Sequence, residues 1–373
     1  MNFLQWFTPS KNHSHEQRTT SSELITKGQS ESISTDNLNQ NKTRFQGIFG
    51  DSTDFRSESV HIGDQEGLIF YLESMTDSKL IVEQVMKPLA LASQQPKQIV
   101  DENDLECYRK EVFAGIGFQY AYYEHEAVWS ILSGYVVLLI KHIPKLLAIK
   151  INGIEMRSIS EPTTQSVVRG PKDGFTESLG TNISLIRRRV KNPNLRFESF
   201  TIGKDTCTAV NIGFIEGIAN DEIVDEVRKR LSAIRTSAII ESGNIEEFLS
   251  DNKWTPFPTV YNTERPDSVA ANLVEGKVVV IVDGTPFALL IPNVITDFFQ
   301  VSEDYSHQFW ISSFIRMIRY VAYLIAVFLP AIYVSVTTFH RNDPNRLINE
   351  FDGPARRCAV SRCIGSPDDG SYF

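Results

Sequence analysis

Positive charge is in deficit along these 373 residues: 37 Lys and Arg stand against 46 Asp and Glu, a formal charge of −9. Neutralising a phosphate backbone needs a dominant basic surface, so general nucleic-acid binding is argued against and only local basic patches survive. Cysteine is scarce as well. Four in a chain of this length do not make a disulfide scaffold, and Cys358 and Cys363 have no nearby Cys or His to complete a metal site, so they read as unpaired thiols. No G-x-G-x-x-G opens a strand-to-helix unit, no G-x-x-x-x-G-K-[ST] is present, and Gly115-Ile116-Gly117 is only a fragment of such a loop. H-E-x-x-H is also lacking: His125 lies between Glu124 and Glu126, which would point different ways on a helix and leave an ordinary histidine. These gaps leave no catalytic residue, cofactor site or metal site to assign, and an enzyme is not expected.

Long hydrophobic runs are missing too, with one exception that the mean hydropathy of −0.17 conceals. Between Arg319 and His340 the chain reads YVAYLIAVFLPAIYVSVTTF, without a formal charge. As a helix rising about 1.5 Å per residue it would cover roughly 30 Å, the thickness of a hydrocarbon core. Tyr320, Tyr323 and Tyr333 and the flanking Arg316, Arg319 and Arg341 suit headgroup level. Pro330 interrupts the hydrogen-bond ladder, which a membrane bundle tolerates better than an isolated span. Just upstream, Tyr305, His307, Phe309, Trp310, Phe314, Arg316 and Arg319 form an aromatic and basic approach, read as an interfacial collar in contact with lipid. Arginines on both sides leave orientation open. The N-terminal MNFLQWFTPS lacks the basic region and apolar run of a secretory signal, so a cytoplasmic location for the acidic region is the simpler topology.

From Lys11 to about Lys42 the chain is polar and poor in large apolar residues, and is expected to be disordered. The tail after His340 is rich in Arg, Asp, Pro and Gly and is expected to be loose. Between these ends, Leu68 to Leu72 is a short apolar run. Met75 to Met86 carries helical spacing that Pro88 should stop. YVVLLI at 135–140 and LLAIKI at 146–151 read as paired strands. Residues 162–180 read as an ordered loop with a turn at Lys172-Asp173-Gly174. Phe197 to Ile202 and residues 206–212 suit neighbouring strands. Asn220 caps a helix with Ile223, Val227, Leu231 and Ile234 on its apolar stripe. GKVVVIVDGTPFALLIP carries the strongest hairpin signal, around Asp283-Gly284. The expected architecture is α/β: two mixed α/β subdomains preceding a single retained transmembrane helix. The divisions fall at 1–44, 45–190, 191–302, 303–340 and 341–373.

Arg187, Arg188, Arg189, Lys191 and Arg196 form the densest basic cluster. It suits an anion or an acidic neighbouring subunit, since Arg makes forked bonds to carboxylate and phosphate. A solvated helix face is the plainer reading, and pairing with Asp173, Glu177 and Glu198 of the same molecule would explain the cluster without any ligand. Glu264-Arg265-Pro266-Asp267 reads as a salt-bridged turn ahead of the Asp283 hairpin, with no nucleophile signature beside it.

Several long motifs point to one family. VVRGPKDGFTESLGTNISLIRRRVKNPNLRFES at 167–199, IEGIAN at 215–220 and FPTVYNTERPDSVAANLVEGKVVVIVDGTPF at 257–287 resemble the A subunit of GerA-type spore germinant receptors, as do EDY, SSFIRMIRY and LPAIYVSVTTFH at 303–305, 312–320 and 329–340. The resemblance implies a membrane protein of the spore inner membrane that works with a transporter-like B subunit and a lipoprotein C subunit. It also implies several A copies forming a nutrient-gated ion channel. On that model Arg187, Arg188, Arg189, Arg196, Glu264, Arg265 and Asp283 are structural or subunit-interface groups, and Trp310, Arg316 and Arg319 belong to the membrane collar. After His340 the family continues with further membrane helices whereas this tail is polar. The expectation is therefore an A subunit cut short after its first crossing, with a non-conducting membrane-anchored structural or regulatory protein as the alternative.

Overall fold

The computed structural model describes residue 33, residues 37–62, 65–92, 102–113, 115–151, 162, 165, 171–250, 258–299 and 308–339. The polar head up to residue 32, the C-terminal tail with Cys358 and Cys363, Tyr305, His307 and most of residues 152–170 lie outside the described residues. The chain divides into a unit up to Ser306 and a second unit from His307.

The first unit contains two five-stranded antiparallel sheets, each flanked by helices on both faces. Helix α1 (Leu38–Phe49) starts at Asn37, whose side chain accepts from the Gln40 amide. Leu38 to Lys42, expected in the disordered stretch, therefore open a helix. The cap and the burial of Phe45 and Phe49 outweigh the polar composition. The hairpin β1 (Phe55–Ile62) and β2 (Gln65–Leu72) follows. Next come α2 (Ser78–Ile81), a π-helical turn (Val82–Met86) and α3 (Lys87–Ala92). Pro88 does not stop this segment as expected. Its missing N–H falls in the first turn after the π stretch, where the Lys87 N–H reaches back to the Val82 carbonyl and the helix runs on to Ala92. Then come α4 (Glu102–Val112), β3 (Phe118–Ala121), α5 (Glu124–Leu132), β4 (Tyr135–Ile140) and β5 (Leu146–Lys150).

The second half repeats this order with α6 (Leu179–Arg189), β6 (Leu195–Ile202), β7 (Thr208–Ile215), α7 (Asp221–Ala233), α8 (Ser242–Leu249), β8 (Tyr261–Thr263), α9 (Pro266–Val274), β9 (Val278–Val282) and β10 (Ala288–Ile291). The strand orders β1-β2-β4-β5-β3 and β6-β7-β9-β10-β8 are the same topology used twice. The likeness extends to single residues. Phe55 pairs with Leu72 as Leu195 pairs with Ile215, and Ala121 with Leu146 as Thr263 with Ala288. The matching helices α5 and α9 end in Gly134 and Gly276, both at positive φ, and the following hairpins turn at His142 (φ 67°) and Gly284 (φ 82°). Arg56 pairs with Glu73 where Arg196 pairs with Glu216.

The central strands show why sequence and fold agree. In β9 every residue is buried: Val278, Val280 and Val282 face α7 and α8, while Val279 and Ile281 face α6 and α9. A strand covered on both faces reads as a continuous apolar run, and β4 is built the same way between α1 with α5 and α2 to α4. Asn220 caps α7 by accepting from the Glu222 amide, but Val224, Val227 and Leu231 are its buried stripe, with Ile223 only half-buried. The boundary expected at 190 needs correction. Helix α6 packs Ile183, Ile186 and Val190 onto the second sheet, so it belongs to the second subdomain. Residues 171–176 run without a regular turn.

The second unit holds α10 (Phe309–Phe339), a continuous helix with Pro330 inside it. Residues Phe309–Thr338 are long and apolar enough to cross a membrane. Trp310, Arg316 and Arg319, expected in a collar ahead of the span, are part of this helix, and Trp310 is exposed.

Gly213 tests the two-sided packing. A Cβ built there would lie 2.6 Å from Phe197 Cε1 and 2.8 Å from Val279 Cγ1, whereas nothing stands within 4 Å of one at Gly180 on α6. We expect Gly213→Ala to cost about 1–3 kcal/mol by overpacking and Gly180→Ala to be neutral or stabilising by up to about 1 kcal/mol. Urea midpoints of the purified variants in detergent check both.

Candidate functional site

The second subdomain meets the first through one face of α6 and, beside it, Lys191, Arg196 and Phe197. Ser178 caps this helix by accepting from the Thr181 amide, and Asp283 Oδ1 accepts from the Leu179 amide at 3.1 Å, so a carboxylate sits at its positive end. With Ile183 and Ile186 turned to the sheet, Ser184 and Arg187, three residues apart, share another face and are buried. Arg187 is 1% exposed. Its Nε donates to Asp54 Oδ2 at 2.9 Å, and its Nη2 donates to Asp54 Oδ1 at 2.8 Å and to Ser52 Oγ at 2.9 Å. Ser52 Oγ donates to Asp54 Oδ1 at 2.7 Å and accepts from the Phe197 amide at 3.1 Å, which uses its full capacity. Ser74 Oγ donates to Asp54 Oδ2 at 2.6 Å. The Thr53 amide donates to the Phe197 carbonyl at 2.9 Å. Arg196 Nη1 donates to the Ile48 carbonyl at 3.1 Å, and Lys191 Nζ lies 5.1 Å from the Trp129 ring centre.

Burial opposes the Asp54 carboxylate, but the Arg187 charge and the bonds from Arg187, Ser74 and Ser52 together hold its carboxyl below the usual value. Asp173 behaves alike: burial opposes its charge, and the Arg189 bonds at 2.7 and 2.6 Å prevail. The basic cluster is thus divided among internal partners. Arg187 takes Asp54, Arg189 takes Asp173, and Arg196 takes Glu216 at 2.7 Å. Arg188 is half-buried. A solvated face does not describe Arg187. Of the acids weighed from sequence, Asp173 is a partner, Glu198 is bound by Arg228 at 2.5 Å, and Glu177 enters through its carbonyl, which accepts from Gly284 N.

A second polar cluster lies at the start of α9. Arg265, 3% exposed, donates to both Asp267 oxygens at 3.1 and 2.7 Å, to the Gln165 carbonyl at 3.2 Å and to the Pro171 carbonyl at 3.1 Å. Glu264 is buried, and its carbonyl accepts from the Phe175 amide. The salt-bridged turn read from Glu264 to Asp267 is present between Arg265 and Asp267. Glu126, beside His125, accepts from the Tyr122 and Tyr123 amides at the start of α5. Asp54 and Ser52 were missed from sequence because a Ser-x-Asp before a strand reads only as turn chemistry.

Both clusters consist of ion pairs and hydrogen bonds made within the chain. The model of the Bacillus/Clostridium GerA spore germination protein family matches residues 43–349. The chain belongs to the GerA family. It is 38% identical over 295 residues to spore germination protein KA of Bacillus subtilis, covering 78% of this chain and 54% of that protein. It is 36% identical over 286 residues to spore germination protein GerLA of Bacillus cereus, covering 76% and 57%. The crystal structure of the N-terminal domain of the A subunit of the Bacillus megaterium spore germinant receptor GerK3 matches with a TM-score of 0.55 and 34% identity, covering 71% of this chain and 99% of that one. The chain thus spans a little over half the length of these curated relatives and is homologous to GerA-family A-subunit proteins. The two-sheet unit is followed by one helix, Phe309–Thr338, long and apolar enough to cross a membrane.

Removing one partner of a buried ion pair strands the other. Arg187→Met is expected to cost about 3–5 kcal/mol in chemical denaturation, and adding Asp54→Asn should recover a large part. The pH dependence follows from the lowered carboxyls. The stability supplied by Asp54 and Asp173 is fully present above the unfolded Asp value of about 4 and is lost as pH falls through the folded values. Unfolding midpoints should therefore drop below about pH 4 and drop less steeply in Asp54→Asn.

Proposed function

We propose that this chain supplies the A-subunit portion of a spore germinant receptor in the spore inner membrane, with its two-sheet unit on the cytoplasmic side. It works there with a transporter-like B subunit and a lipoprotein C subunit. Several A copies associate, and the assembly opens an ion path when nutrient is sensed. The observation that carries this reading is the joint match of both sheets and the apolar helix to one family: the GerA model runs from residue 43, inside α1, to residue 349, beyond α10. The helix Phe309–Thr338 supplies the membrane attachment, and the ion pairs around Arg187 and Arg265 keep the soluble unit rigid enough to transmit movement to it.

Spores lacking the gene test the reading when germinated on amino acids, sugars and nucleosides and complemented with this chain or with a form extended past His340. Loss of at least one nutrient response, regained together with ion release on complementation, is the expected result. Membrane residence and partner binding without ion release would favour the non-conducting anchor. If neither version changes any response, the receptor reading fails.

A further inference from the structure

The duplicated fold leaves one half of its own joint unoccupied. In the first subdomain, the corner formed by Ser52 to Asp54 and the turn Glu73–Met75 is covered by α6 of the second. The same corner of the second subdomain is Asn192 to Asn194 and the turn after Glu216. The match is residue by residue: the Glu73 amide donates to the Asp54 carbonyl as Glu216 does to Asn194. A Cβ on Gly134 would face the Met75 carbonyl at 3.1 Å as one on Gly276 would face that of Ile218 at 2.9 Å. Yet Met75 and Leu132 are 7% and 3% exposed, whereas their counterparts Ile218 and Val274 are 47% and 59% exposed.

The complementary element is equally open. Helix α1 is the counterpart of α6: Asn41 and Asn182 are both buried at matching positions after the caps Asn37 and Ser178. The α6 face that covers the first subdomain carries Ser184 and Arg187; the matching face of α1 carries Thr43 and Gln46, both exposed. Because Gln46 and Ile218 stay exposed, the two subdomains are not related by a closed two-fold exchange. The contact between them is heterologous, and a heterologous contact can be repeated.

We propose that α1 of a second copy docks on the Asn192–Asn194, Ile218 and Val274 corner, reproducing between chains the joint that α6 makes within one. The proposal rests on the reading that A copies associate, and names the surfaces that do so. Their chemistry fits an exchangeable contact. Gln46 meets Asn194 where Arg187 meets Asp54, so no charge is buried. Pro193 stands where Thr53 gives its amide to Phe197, so that hydrogen bond is absent. Ile218 and Val274 supply the apolar area.

The test uses the full chain in membranes, with Cys107, Cys207, Cys358 and Cys363 replaced by serine. Gln46→Cys chains and differently tagged Asn194→Cys chains are mixed and treated with a short bismaleimide. A mixed-tag adduct is expected at least several-fold above either variant alone, with a ladder for the double variant. Ile218→Asp should abolish the adduct and reduce the assembly's mass in detergent while leaving the unfolding midpoint unchanged. Association without the mixed adduct, or adducts of Gln46→Cys with itself, would overturn these surfaces while sparing the assembly of A copies. A single-copy mass at every concentration would overturn both.

Discussion

At the centre of the contact between the two sheet-bearing subdomains lies one buried charge pair, Arg187 with Asp54. Taking both ions out of water costs several kcal/mol each, and such a pair is tolerable only when the remaining hydrogen-bonding capacity is filled. The structure meets that condition on the carboxylate side, where Ser52 and Ser74 donate to Asp54 and the Phe197 amide holds Ser52, whereas Arg187 Nη1 is buried without a hydrogen-bond partner. A hydrophobic contact of the same area would bind as well at many angles. The forked geometry of guanidinium on carboxylate allows one, so the pair fixes the orientation of the second subdomain on the first.

That constraint gives the neighbouring groups their meaning. Asp283 and Ser178 fix where α6 begins, Arg189 with Asp173 fixes its last turn, and Arg196 reaches from β6 to the end of α1. A basic run that looks like an anion site in the sequence is, in space, a fan in which Arg187, Arg189 and Arg196 go to three different carboxylates. Electrostatic steering of a ligand needs unpaired charge, and Arg187, Arg189 and Arg196 each spend theirs internally.

The sequence was informative where physical demands are local. β4 and β9 were legible because burial on both faces leaves only an apolar run, and the hairpin at Asp283-Gly284 because its turn needs a residue tolerant of positive φ. Two features were not legible. The partner of Arg187 lies 133 residues away, and nothing in the spacing of a Ser-x-Asp marks it as an arginine's acceptor. The internal duplication was hidden because the two halves share shape more than residues: Gly134 matches Gly276 and Pro144 matches Pro286, but His142 stands where the other half has Gly284. Strand order and glycine geometry survive such divergence because backbone sterics, not side-chain identity, enforce them.

The same divergence separates the permanent joint from the exposed one. Had both corners kept Asp and both helices Arg, every joint would bury a charge pair, and separating one would expose ions that water rewards and a wrong partner would not. With the charge pair kept inside the chain and amides at the outer corner, the intrachain joint is intolerant of loss and specific in angle. The outer surface can be covered or uncovered without stranding a charge. The two copies of one fold make that division by differing at Arg187 and Gln46, the first buried against a carboxylate and the second exposed.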